Sequence, residues 1–490
     1  MRGEEAARTA IRDSANPMTI TRRSFLGLGS ATALTALTGI AGSPASAAQP
    51  FGASLFSQND YILIQGGRVL TLDPQLGELP VGDVLIQGDE IVSVGPNLSL
   101  PGPGVVINAQ NKLVTPGLID NHRHLWVTLL RGFSADHTFN DYFGQVLLTV
   151  SPELTTDDVY LGCLLGAYEA LDAGVTTVLD WNHGTNTRDH ALAAVTALRD
   201  SGIRAVFAYS SPAADSVRPD APPSVADLDA VQTVIQNDPL ITLAIATRNP
   251  ENATTAGLQR IADDIAEARQ RGVPVTLHTG FGFGPSAAQW LADEDLLGPD
   301  ITLVHGNAFS STDLDLIADA GAFISSSPDT ELQMGLGAPP LRAMLDAGVK
   351  PTVSVDVVAA ASGDLRVQLR LLLQTQRLLD ALASQPGPLL PWTALTPYVT
   401  EHAAASLLLD DQIGRLAPGM QADVVLIDLA DPAVAPLESA ELAMLTAPPS
   451  AIHTVLVAGQ IVKQNGQLVA GDLAWLRSAA QAARNRLLNP

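Results

Sequence analysis

The sequence predicts an α/β protein: a (β/α)8 barrel of the TIM type over 114–410, with a small β-sandwich domain formed from both ends of the chain. Three observations carry that prediction. Strand-like apolar runs alternate with amphipathic helical runs through the middle of the chain. The alternation repeats eight times over roughly 290 residues, near the ~250 typical of such a barrel. Both flanks instead show short apolar runs separated by turns.

The flanks are residues 60–113 and 411–470. In "YILIQGGRVLTLD" the pair Gly66-Gly67 reads as a hairpin turn, as does Gly88-Asp89 in "DVLIQGDEIVSVGP". "ADVVLIDL" and "TVLVAGQIVKQNGQLV" read as strands, with Asn465-Gly466 as a tight turn. Chain ends commonly lie close together, so the two flanks can pair into one domain. Residues 471–490 read as a closing helix.

Between them the strand candidates are "LVTPGLID", "TTVLDWNH", "RAVFAYS", "ITLAIATR", "PVTLHTG", "ITLVHGN", "AFISSSPD" and "PTVSVDV". Helical stretches such as "DHALAAVTALRDSG" and "GLQRIADDIAEARQRG" separate them, and several stop at Gly after a charged last turn. A doubly wound sheet is the alternative. Eight near-regular units favour closure, and no glycine-rich nucleotide fingerprint opens a helix.

The bulk numbers exclude several classes. The chain has 490 residues, 46% hydrophobic and 16% charged, a globular composition. Its formal net charge is −24 and no basic cluster appears, so nucleic acid is not an expected partner. The single cysteine, Cys163, excludes both an intrachain disulfide and a Cys-rich zinc site. Residues 1–47 read as a twin-arginine-type signal peptide: Arg22 and Arg23, a mild apolar stretch, then "ASA" at 45–47. Met18 is the start that best suits such a signal. The apolar stretch is short of the roughly 20 residues a membrane span needs, so no stable anchor is expected. This predicts export to the periplasm or the exterior.

Chemistry in a barrel sits where strands end and loops begin. The first strand ends in His122 and His124, the second in Asp180 and His183, the fifth in His278, the sixth in His305, the eighth in Asp356. Five of the nine histidines fall at such ends. One residue between two histidines on a strand puts both side chains on one face. Two imidazoles there, with histidines from strands 5 and 6 and a carboxylate from strand 8, can hold one divalent cation. Such an N/O set suits zinc, iron, cobalt or manganese.

These motifs resemble the amidohydrolase superfamily, in its cytosine deaminase-like and chlorohydrolase-like branch. "PGLIDNHRHLWVTLLRG", "GVTTVLD", "LHTG", "LVHGN", "SSSPDTELQMGLG", "VSVD" and "IGRLAPGMQADVVLIDL" recur in that family's order. The resemblance implies one divalent metal ion, zinc first and iron second, held by His122, His124, His278 and Asp356. It also implies catalytic roles for Asp356 and His305, and hydrolysis of a non-peptide C–N bond in a small cyclic or aromatic substrate. Binuclear relatives usually bridge two metals with a strand-4 lysine. Here "ITLAIATRN" has none, and Lys112, Lys350 and Lys463 all lie elsewhere. A homo-oligomer stays open.

One departure matters. Deaminases of this branch carry a proton-shuttling glutamate three residues after the strand-5 histidine, and here that position is Phe281. Glu331 is the first candidate to replace it. His183, Trp126 and Phe281 are the expected substrate contacts. The alternatives are a metal-holding binding protein or degenerate hydrolase, or a metal-dependent lyase or decarboxylase.

Overall fold

The computed structural model describes residues 60–213, 225–383, 387–469 and 471–489. The signal-peptide reading of 1–47 lies outside them. No helix among the described residues is long and apolar enough to cross a membrane.

The described residues open in a sheet. β1 (Tyr61–Leu70), β2 (Glu78–Gln87), β3 (Glu90–Gly95), β4 (Gly104–Asn108) and β5 (Lys112–Pro116) form its first half. Eight strands then follow in parallel: β6 (Leu118–Arg123), β7 (Val175–Asn182), β8 (Arg204–Tyr209), β9 (Ile241–Thr247), β10 (Val275–Thr279), β11 (Ile301–His305), β12 (Phe323–Ser326) and β13 (Lys350–Val353). Each pairs with the next in sequence, and helices run between most of them. β14 (Val424–Asp428), β15 (Ile452–Val457), β16 (Gln460–Gln464) and β17 (Gln467–Leu468) return to the first sheet. A helix, Leu473–Leu488, closes the chain.

The two ends join where β14 lies antiparallel to β5, pairing Val424 with Pro116 and Asp428 with Lys112. By its hydrogen bonds the terminal region is one nine-stranded sheet. Its core gathers Ile62, Ile64, Val84 and Ile86 from one flank with Val424, Leu426 and Leu456 from the other. The barrel keeps a separate core of Val, Ile, Leu and Ala from its strands and helices. β7 and β8 are buried at every position, which explains why they read as continuous apolar runs.

Two local expectations are corrected. Gly66-Gly67 is not a hairpin turn. β1 runs through it with a register shift, and the Gly66 N–H donates to Asp83 Oδ1 at 2.7 Å. β2 pairs with β1 on both sides of the shift, at Ile64 and Gly67, while the other edge passes from β4, which ends opposite Gln65, to β5, which begins opposite Arg68, so the glycines make a bulge. "LVTPGLID" is also two strands, not one. It breaks at Gly117, where the chain leaves the sheet for the barrel. A Cβ at Gly117 would lie 1.9 Å from Thr176 Oγ1, so only glycine fits the crossing. The turns at Gly88-Asp89 and Asn465-Gly466 form as read.

A buried ion pair ties barrel to sheet. Arg204, opening β8, donates from Nε and Nη2 to Asp423, just before β14, at 2.8 and 3.0 Å. Asp423 Oδ1 also accepts the Ala458 N–H at 2.7 Å. Removing one partner of such a pair strands the other charge and costs about 3–5 kcal/mol. Arg204→Met is therefore expected to lower the unfolding free energy by about 3 kcal/mol in urea titrations. The double variant Arg204→Met/Asp423→Leu should recover part of that loss; a larger loss in the double variant would refute the account.

Candidate metal centre and active site

The alternation of β6, carried one residue past its end, sends His122 and His124 inward and Arg123 outward, where Arg123 pairs with Glu169. His278 lies in β10, His305 ends β11, and Asp356 lies three residues past β13. These five side chains meet at one end of the barrel. Ligand-type atoms of His122, His124, His278 and Asp356 all lie within 4.8 Å of one another.

The contacts show what that cluster is suited to hold. Asp356 Oδ1 is 3.3 Å from Nε2 of both His122 and His124. His124 Nε2 is 3.3 Å from His278 Nε2. His124 Nδ1 lies 2.6 Å from the Trp181 carbonyl oxygen, which can only accept. That nitrogen therefore donates, and Nε2 is left facing Asp356 and His278. Burial pulls the His122 pKa down to about 4 and His278 well below the usual histidine value. Three imidazoles gathered around one carboxylate form a donor set that one cation would satisfy. The residues present thus fit a divalent metal of the kind their chemistry implies.

Asp356 is the anion of the set. Burial alone would raise it, but hydrogen bonds from His122 and His124 hold it well below the ordinary carboxylate range. Both Asp356 (φ 64°) and His305 (φ 81°) have left-handed backbones. Such conformations cost of order 1–3 kcal/mol each in a non-glycine residue and persist where the surroundings impose them. For Asp356 the surroundings are the barrel seam. The Asp356 N–H donates to the His122 carbonyl and the His124 N–H to the Asp356 carbonyl, each at 3.0 Å.

Glu331 falls in a different place from the one expected of a proton shuttle. It is fully buried behind His305 and does not line the cavity. Its Oε1 lies 3.1 Å from His305 Nδ1 and accepts the Ser327 N–H at 2.8 Å, while Oε2 accepts from Asn307 Nδ2 at 3.1 Å. Burial would lower the His305 pKa, but Glu331 and Asp356 outweigh it and raise it.

A cavity of about 600 Å³ opens over the cluster. Phe139, Phe143, Phe281 and Phe283, whose rings contact one another, line it together with Tyr142 and Met334, and Ser210, Ser211, Arg248, Asn249 and Asn252 add polar groups. Phe281 lines the cavity, with its ring 5.2 Å from His305, 5.3 Å from Phe139 and 5.1 Å from Phe283. His183 lines the cavity and stacks on His124 at 4.3 Å. Trp126, expected as a substrate contact, does not line the cavity. It is fully buried, and its indole Nε1–H donates to His183 Nδ1 at 2.9 Å. Asp180 is also internal: it accepts the Leu125 N–H at 3.1 Å, and burial pushes its pKa up to about 6.

The sequence reading passed over Glu251. Its carboxylate accepts the N–H groups of Gly280, Phe281 and Gly282 at 2.9, 3.3 and 3.4 Å, fixing the turn after His278. The signal was present in "RNPEN", a polar run directly after the fourth strand, but that strand end holds no histidine.

Comparison with known proteins places this architecture. The Amidohydrolase family matches residues 113–462. The chain is 28% identical to the 5-methylthioadenosine/S-adenosylhomocysteine deaminase of Halobacterium salinarum, over 87% of this chain and 98% of that one. It is 25% identical to the 5'-deoxyadenosine deaminase of Methanosarcina mazei, with the same coverage. Among solved structures, a zinc-bound adenosine deaminase from Xanthomonas campestris superposes with a TM-score of 0.75 at 23% identity, covering 88% of this chain and 99% of that one. A mutant atrazine chlorohydrolase from Arthrobacter aurescens, complexed with zinc and atraton, gives 0.76 at 23% identity, covering 86% and 100%.

These relatives also overturn the exported location. The matches take in 98% of each deaminase while using 87% of this chain, which leaves them no counterpart of a 47-residue leader. The periplasmic or extracellular assignment, which rested on residues 1–47 alone, is corrected accordingly.

A family match that runs from the last strand of the first flank, through the whole barrel, into β16 settles the assignment: the chain belongs to the Amidohydrolase family and is a metal-dependent hydrolase of carbon–nitrogen bonds.

Proposed function

We propose that this enzyme is a deaminase-type hydrolase that removes an amino group from a small heteroaromatic substrate of the adenine-nucleoside kind, with one divalent cation. The convergence of three imidazole nitrogens and one carboxylate within 4.8 Å, at the floor of an aromatic-walled cavity, carries this reading. The named relatives act on 5-methylthioadenosine, S-adenosylhomocysteine and 5'-deoxyadenosine, and solved neighbours hold zinc. Zinc is therefore the first choice of metal and iron the second.

His122, His124, His278 and Asp356 would hold the cation. Bound there, it supplies an activated water and polarises the carbon under attack. Asp356 takes a proton from the attacking water at its carboxylate and returns it to the leaving amine, which departs as ammonia. His305 presents its second nitrogen to the reacting oxygen. Glu331 fixes the His305 tautomer from behind, as carboxylates do for histidines at metal sites. With Phe281 in the glutamate position, proton traffic falls on Asp356 and the His305–Glu331 pair. The aromatic wall accepts a flat ring by stacking.

Three measurements test this. Purified protein should hold close to one equivalent of zinc and release ammonia from 5'-methylthioadenosine, S-adenosylhomocysteine or 5'-deoxyadenosine. His122→Ala should lose both properties. No ammonia from any of the three, or two equivalents of metal, would overturn the reading. Glu331→Gln should keep its metal and KM and lower kcat roughly 10–100-fold; a kcat within twofold of wild type would remove Glu331 from the mechanism.

The pH dependence follows from the cluster. His122 titrates near 6.5 when unfolded and about 4 in the metal-free fold. A lowered histidine pKa gives stability that is complete above 6.5 and lost as pH falls through 6.5 toward 4. That shift corresponds to of order 3 kcal/mol. The metal-free protein should therefore show a melting temperature that drops steeply across this window. His122→Asn should flatten the drop, and an unchanged slope would count against it.

A further inference from the structure

His183 and Trp126 form a unit whose polarity can be read without reference to any ligand. The indole Nε1–H is a donor only. It points at His183 Nδ1 from 2.9 Å, so that nitrogen is the acceptor and carries no proton. The His183 proton is then on Nε2, and the ring is neutral. Nε2 has no hydrogen-bond partner among the described residues, although the side chain is almost wholly buried and lines the cavity. The ring lies flat on His124, 4.3 Å away and 14° from parallel, which places it beside the cluster.

The packing leaves little freedom to invert this arrangement. Trp126 lies two residues after His124, in the short helix Leu125–Leu130. The helix Thr156–Asp172 meets it at Gly162, where a Cβ would approach the Trp126 carbonyl oxygen to 2.5 Å. Gly184, next to His183, faces the indole, and a Cβ there would reach its Cγ at 3.1 Å. Strand-1 ligand, indole and strand-2 histidine are thus held as one piece.

We infer that His183 orients the substrate by donating from Nε2–H to a hydrogen-bond acceptor near the reacting carbon, and that Trp126 is the positioning residue that fixes this polarity. The site therefore selects molecules that present an unprotonated ring nitrogen or a carbonyl oxygen at that place. A molecule presenting an N–H there meets donor against donor and is rejected. The choice of a purine as the test molecule rests on the deaminase reading; the polarity of His183 does not.

The first test reads the tautomer directly. In ¹⁵N-histidine-labelled, zinc-loaded protein, long-range ¹⁵N–¹H spectra should show one neutral histidine protonated at Nε2 that disappears in His183→Gln. A His183 protonated at Nδ1 in the wild type overturns the inference, whether or not any variant folds. The second test uses binding. 5'-Methylthioadenosine and its 1-deaza, 3-deaza and 7-deaza analogues each keep the ring and remove one acceptor. One analogue should bind about tenfold more weakly than the parent to wild type, and equally well to His183→Ala. His183→Gln, which retains a donor, should restore part of the discrimination, and Trp126→Phe should reduce it. If every analogue keeps its wild-type ratio in His183→Ala, the inference fails. If no purine binds wild type at all, the deaminase reading falls, and the tautomer signal alone decides the polarity.

Discussion

The hydrogen bonds between the end of β6 and Asp356 close the barrel and assemble the site in one step. Strand 1 supplies His122 and His124; strand 8 leads into Asp356. The Asp356 N–H to His122 carbonyl and His124 N–H to Asp356 carbonyl bonds put ligands from opposite ends of the barrel sequence within 3.3 Å. Asp120 strengthens the seam by accepting the Val355 N–H at 3.1 Å. The left-handed backbone at Asp356 is tolerable because both its N–H and its carbonyl are satisfied there. A closed barrel and a formed metal cluster are, for this chain, the same event.

The fold was legible because its strands are buried on both faces and its helices carry stop signals. Both features survive in one dimension. The inward pair His122 and His124 was legible for the same reason: alternation fixes the face without knowledge of the tertiary structure. What escaped was anything set by the approach of distant segments. Gly66-Gly67 looks like a turn, and only the β2, β4 and β5 edges beside it make it a bulge. Trp126 looks like a pocket residue because it follows a ligand, yet a 3-10 turn directs it behind His183. Glu331 carries the right chemistry at the right strand end, but Ser327, Asn307 and His305 claim its oxygens from behind the cavity.

Burial also divides the carboxylates by task. Asp356 faces the histidines and stays ionised. Asp180 and Asp120 sit in the interior with pKa values pushed up to about 6, where they hold the backbone around Leu125 and Val355. Glu331 serves the outer nitrogen of His305. Each takes its role from the groups that reach it, which composition and spacing do not reveal.

The exchange around the fifth strand follows the same logic. The turn Gly280–Gly282 is tight: a Cβ on Gly280 would come within 2.3 Å of Gly306 Cα. Three of its N–H groups need an acceptor, and Glu251 reaches them from the neighbouring loop. A carboxylate is therefore spent on holding the turn, and the residue the turn projects into the cavity is the aromatic Phe281. Its ring joins Phe139 and Phe283 and packs on His305. The rings present apolar surface on that side of the cluster, and a hydrogen bond made beside apolar surface is stronger than one made in water. On the proposed reading, binding rests on stacking against these rings and on the few donors and acceptors that face the cavity. On that reading, the direction in which His183 points its proton sets which rings the site accepts.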